Sequence, residues 1–222
     1  MYLLIYKMAK RNLKIPLLGD GAVGKTSLVK RFVEQRFDDR YITTIGTNVK
    51  KKELPELDVK LIIWDMYGQK LKTTLQKSNY KGSDGALIVY DITRKNTFKN
   101  LDKWIENLFD VTGEIPIFVL GNKYDLLVDY WEVMDLEEIT DEDFQRFMEE
   151  NHQEVIDYYK KVYDRVPDFK AVPYADLSDW GGEKEEEFNT DFSFYMTSAK
   201  TGENVDKAFK SLAESIIGDE EK

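Results

Sequence analysis

The sequence predicts an α/β fold: a doubly wound, mostly parallel six-stranded sheet with helices on both faces, plus a helical insertion before the last strand. Three observations carry this. Residues 86–90 and 115–120 are continuous apolar runs without alternation, the pattern of strands covered on both faces. Stretches of helical spacing alternate with such runs, which calls for crossover connections and parallel pairing. A glycine-rich turn after Leu18 leads straight from the first apolar run into the first helical one.

Taken in order, residues 13–18 form a short apolar strand, and residues 27–37 show helical spacing through Leu28, Val29, Phe32 and Val33. A polar, threonine-rich stretch, 38–48, follows. Residues 49–57 and 59–64 read as a hairpin with Pro55 and Glu56 at its bend. After the strand at 86–90, residues 98–109 have helical periodicity, and the strand at 115–120 comes next. Residues 192–196 give the last strand, and 205–217 the last helix, with Val205, Phe209, Leu212 and Ile216 on one side.

The rhythm breaks once. Residues 129–190 carry no strand signal, but Thr140 to Asp143 resembles a capping box, and Phe144, Phe147, Met148, Val155, Tyr159 and Val162 follow at helical spacing. The interval is expected to be an inserted helical excursion, with 180–189 a charged loop returning to the sheet. The body then comprises residues 9–128 and 191–218, with 1–8 an N-terminal extension.

Composition narrows the function. The 222 residues carry a net charge of −10, which argues against broad nucleic-acid binding because no excess of basic residues displaces counterions from phosphates. The charge is uneven: residues 126–191 hold 21 acidic and 6 basic residues, so an acidic segment sits in a mildly basic body. No stretch approaches the roughly 20 apolar residues of a membrane span, so a cytoplasmic location is expected. The chain has no cysteine, which removes disulfides, thiolate metal sites, prenylation and palmitoylation, and with them a direct lipid anchor.

The motif residues lie at the ends of expected strands. Gly19, Asp20, Gly21, Ala22, Val23, Gly24, Lys25 and Thr26, followed by Ser27, match the P-loop pattern between a strand and a helix. There, backbone amides curve around phosphate oxygens, Lys25 reaches the outer phosphates and the Thr26 hydroxyl can ligate Mg²⁺. Asp65-Met-Tyr-Gly68 follows the second hairpin strand, so a carboxylate emerges near the metal and Gly68 can offer its amide to the terminal phosphate. Asn122-Lys-Tyr-Asp125 follows a buried strand. A carboxylate at Asp125 accepts from guanine's ring N–H and exocyclic amino group together, a donor pair that adenine lacks, which favours GTP over ATP. Thr197-Ser-Ala-Lys200 fits a loop touching the base from the other side.

In this order and on these strand ends, the four motifs resemble the Ras superfamily of small GTPases. The wording GDGAVGKTSL, YITTIG, WDMYGQ and YKGSDGALIVYDIT is most similar to the Rab branch. The resemblance covers nearly the whole chain outside residues 129–190 and implies the P-loop GTPase fold. It implies GTP/GDP and Mg²⁺ as ligands, with Thr26, Thr44 and, through water, Asp65 around the metal. Lys25, Thr44, Gly68 and Gln69 would carry catalysis, Gln69 by orienting the attacking water. Tyr41 would cover the phosphates and Phe37 would pack on the base. Lys123, Ser198, Ala199 and Lys200 would complete the base site beside Asn122 and Asp125. The expected partners are effectors, an exchange factor and an activating protein, with the chain itself a monomer.

Unaided hydrolysis is expected to be slow. An arginine finger supplies roughly 10³- to 10⁵-fold in this class, and neither Arg36 nor Arg40, bordering the first switch, is expected to act as one. Three departures qualify the resemblance. Met66, Tyr67 and Lys70 alter the second switch, the anchoring cysteines are missing, and the acidic interval holding His152, the only histidine, is unusually long. A constitutive GTP-binding scaffold with negligible turnover is the alternative reading; Gln69 favours the enzyme. An ATP-dependent kinase sharing the P-loop is disfavoured by Asn122 and Asp125.

Overall fold

Strand β1, Arg11–Leu18, lies inside a six-stranded sheet and is paired along both edges. In this computed structural model, residues 11–38, 46–66, 78–126, 180–184 and 192–220 are described. The other strands are β2 (Thr47–Leu54), β3 (Val59–Met66), β4 (Ala86–Asp91), β5 (Ile117–Asn122) and β6 (Phe192–Thr197), in the order β2-β3-β1-β4-β5-β6. Only the β2–β3 pair is antiparallel. Helices among the described residues include α1 (Lys25–Glu34), α2 (Lys95–Lys99), α3 (Leu101–Thr112) and α4 (Val205–Glu220).

Strand residues divide by parity between two cores. Leu13, Ile15 and Leu17 of β1, with Leu87 and Val89 of β4, pack against Leu28 and Phe32 of α1 and Phe209 and Leu212 of α4. Phe32 and Phe209 stack with centroids 4.2 Å apart. On the opposite face, Ala86, Ile88 and Tyr90 pack against Leu101, Ile105 and Leu108 of α3. Burying both faces explains why β4 and β5 carry no polar alternation. The order in which strands are added reverses at β1, whose parallel neighbours are β3 on one side and β4 on the other. The C-terminal end of β1 therefore opens into the crevice where doubly wound sheets bind ligands.

Three elements differ from the sequence reading. The first hairpin strand ends at Leu54 rather than 57, because Pro55 lacks the N–H to continue the ladder and starts a 3₁₀ turn, Pro55–Leu57. The helix expected at 98–109 is two helices meeting at Asn100. Residues 180–184, expected as loop, are helical. Trp180 fastens them by donating from Nε1 to Asp102 Oδ1 at 2.8 Å and by edge contacts with Phe98, Phe192 and Phe194. Gly181 permits the approach, since a Cβ there would lie 2.3 Å from the Phe194 ring. The expected helices and histidine of residues 129–179 lie outside the described residues.

Candidate nucleotide-binding site

The turn from β1 into α1 is built by backbone conformations that ordinary side chains disfavour. Gly19 has φ +130° and Gly24 φ +101°, and a Cβ on Gly19 would lie 2.0 Å from the Val89 carbonyl oxygen. Gly24 is the N-cap of α1 and offers no side-chain acceptor, and the first turn contains no acidic residue. The positive end of that helix is thus left to an anion.

Lys25 lies inside the turn, 6% exposed, and donates to the carbonyls of Gly19 and Asp20 at 2.8 Å each. Burial pulls its ammonium down to about 8, against the opposing charges of Asp65 and Asp20. Asp65, one residue before the end of β3, is 1% exposed, and neither carboxylate oxygen makes a hydrogen bond of good geometry. Burial raises its carboxyl above the ordinary value, with the Thr26 hydroxyl and Lys25 opposing. A carboxylate desolvated without adequate compensation, next to a helix-start hydroxyl, suits a cation and its water shell. Among the described residues there is no group of three or more His, Cys, Asp or Glu that could hold a metal ion.

The base side is organised around Asn122 at the end of β5. Its Nδ2 donates to the Val23 carbonyl at 2.8 Å, and its Oδ1 accepts from the Ala199 amide at 3.2 Å. Asp125, 6% exposed, accepts from the Ser198 hydroxyl at 2.6 Å, and Lys200 stands 3.9 Å from its other oxygen. Arg31 of α1 holds the same loop from behind, donating to the carbonyls of Ala199 and Lys200. The structure therefore brings the residues 19–27, Asp65, Asn122, Lys123, Asp125 and Ser198, Ala199 and Lys200 to one crevice. Phe37 is half-buried against the α1/α4 core. Tyr41, Thr44, Gly68 and Gln69, together with Arg40, Tyr67 and Lys70, lie outside the described residues. Arg36 pairs with Glu34 at 2.6 Å.

Two supports were not anticipated. Asp91, fully buried at the end of β4, accepts from Lys123 at 2.5 Å, Arg94 at 2.9 Å and the Thr93 hydroxyl at 2.6 Å. Burial works against its charge, but Lys123 leads the neighbours that outweigh it, and its carboxyl sits below the ordinary value. Arg94 also donates to the Gly21 carbonyl at 2.9 Å, so one carboxylate braces both the base loop and the phosphate loop. The second support is Asp20, whose carboxylate accepts from Asn100 at 2.8 Å and Trp104 at 3.0 Å. An aspartate closing an apolar strand, with threonine two and arginine three residues later, is a local signal for the first support. The second has none, because its partners are some 80 residues apart.

Comparison with known proteins agrees with this geometry. The Ras family model matches residues 14–168. The Ras-related protein Rab7 of Drosophila melanogaster is 31% identical over 215 residues, 94% of this chain and 82% of the relative. Rab-22A of Canis lupus familiaris is 38% identical over 175 residues, covering 75% and 89% respectively. Rab-31 of Rattus norvegicus is 45% identical over 123 residues, covering 54% and 63%. The chain belongs to the Ras family, on its Rab-like side, and is a small GTPase that binds GTP and GDP. Among the described residues, no helix is long and apolar enough to cross a membrane.

Proposed function

We propose that the protein is a slow GTP-hydrolysing switch, and that Mg²⁺ is its metal. The observation supporting this most directly is the Asn122 side chain, which joins the phosphate loop at Val23 to the base loop at Ala199. That link supports reading the two loops as one guanine nucleotide site, with Lys25 for the phosphates and Asp125 for the base.

Thr26 and Thr44 would hold Mg²⁺, with Asp65 acting through water; when bound, the ion would neutralise charge on the terminal phosphates. Lys25 exchanges its two loop carbonyls for phosphate oxygens, while the amides of the loop and of Gly68 receive charge that develops in the transition state. Gln69 aligns the attacking water, which a neutral amide does without being a strong base. Thr44 and Gly68 sense the terminal phosphate, so residues 38–48 and 66–78 change with its loss and present different surfaces to effectors. Tyr41 covers the phosphates and Phe37 flanks the base. Acceleration to working rates falls to a separate activating protein, and replacement of GDP to an exchange factor. The chain acts as a monomer in the cytoplasm.

The test is single-turnover hydrolysis of GTP and ATP with Mg²⁺, comparing the parent protein with Gln69→Leu and Asp125→Asn. Slow hydrolysis selective for GTP, lost in Gln69→Leu with binding retained, is expected. Tight GTP binding with no turnover in the parent would replace the switch with a constitutive scaffold.

A further inference from the structure

A carboxylate at the second position of a phosphate-binding turn is an electrostatic liability. The fold answers this with two donors from one helix and its leading residue. Trp104, 5% exposed in α3, donates its indole N–H to Asp20 Oδ1 at 3.0 Å, and Asn100, immediately before α3, donates its amide to Oδ2 at 2.8 Å. The backbone carbonyl of Asp20 itself accepts from Lys25.

We infer that Trp104 and Asn100 are positioning residues, which hold the Asp20 carboxylate away from the phosphates so that the Asp20 main chain can serve them. This rests on the nucleotide reading above. The pairing is specific in its chemistry. An indole N–H is a donor only, so Trp104 cannot satisfy any other state of Asp20 than one presenting an oxygen. Both carboxylate oxygens are engaged, and each hydrogen bond to a charged acceptor is stronger than a neutral one. Freed from these donors, the side chain would be a mobile negative charge at the rim of the phosphate site.

The experiment measures dissociation of a fluorescent N-methylanthraniloyl GDP from the full chain carrying Trp104→Phe, Asp20→Asn, and both. Trp104→Phe keeps the ring and removes the donor. Dissociation about tenfold faster is expected, the factor that loss of one charge-assisted hydrogen bond corresponds to. Adding Asp20→Asn removes the freed charge and should bring dissociation back toward the parent rate. Rescue separates positioning from packing, because a loosened core is not repaired by changing a residue in the turn. Should Trp104→Phe fail to fold, Asn100→Ala with and without Asp20→Asn makes the same comparison. A double variant as fast as the single one, or a single variant no faster than the parent, would overturn the inference. A parent protein that retains no fluorescent GDP would remove the nucleotide reading itself, and this inference with it.

Discussion

Asn122 Nδ2 and the Val23 carbonyl lie 2.8 Å apart, although the residues are separated by most of the sheet in sequence. The contact is tight enough that a Cβ on neighbouring Gly24 would fall 2.2 Å from the same nitrogen. Asn122 is 1% exposed, so its removal strands a carbonyl at Val23 and an amide at Ala199 in a dry place. Asn122→Ala is expected to cost roughly 2 kcal/mol and to speed GDP dissociation about 30-fold. Stopped-flow displacement checks this; an unchanged rate would mean that the two loops are held by other means.

Lys25 governs the response of binding to pH. Its folded value of about 8 in the nucleotide-free protein rises when phosphate oxygens surround it, because they favour the charged form. Below pH 8 the ammonium is already present and binding takes up no proton at this group. As pH rises through 8, binding must recharge it, so affinity falls and proton uptake grows. Near pH 8 about half a proton per GDP is expected. Calorimetry in buffers of different ionisation enthalpy reads this number directly, and zero uptake at pH 8 would contradict it.

The same lysine influences stability with the opposite tendency. Its folded value lies below the ordinary 10.5, so the unfolded chain binds the proton more strongly between about pH 8 and 10.5. Stability of the nucleotide-free protein should gain from this group as pH rises through that window, and the gain should be absent with GDP bound. Denaturant unfolding at pH 7.5 and 9.5, with and without GDP, compares the two.

Asp91 contributes stability above its unfolded value, near 3.8, which is lost as pH falls through its lower folded value. Asp91→Asn removes the carboxylate that pairs with both Lys123 and Arg94. A loss of about 3 kcal/mol is expected, together with faster nucleotide release, since Arg94 supports Gly21. Thermal melting and GDP dissociation should both change. A shift in melting alone would confine Asp91 to a structural role.

Much of the architecture was legible because β4 and β5 are apolar on both faces and the glycine turn marks the switch point of the sheet. The break at Asn100 was not, since helical spacing runs through it and the side chain that ends α2 is spent on Asp20. Trp180 and Gly181 were misread as loop for a similar reason. Their helical turn is fixed by Phe98, Phe192 and Phe194, contacts invisible to local pattern, and Gly181 is needed there for clearance. In the site, strand-end motifs marked the groups that the structure gathers at the crevice, from the glycine turn, Asp65, Asn122 and Asp125 to Ser198. The braces behind them, Asp91, Arg94, Arg31 and Trp104, are joined across long sequence separations and left little local trace.

The seat of Trp180 on Asp102 has a mechanical corollary. Asp102 lies on α3 between Asn100 and Trp104, the two residues that grip Asp20, and Lys184 also reaches it at 3.5 Å. At its other end, the acidic segment departs just after Leu126, beside Asp125. Force applied through Trp180 would accordingly reach the grip on the phosphate turn by way of Asp102 and the helix that carries it.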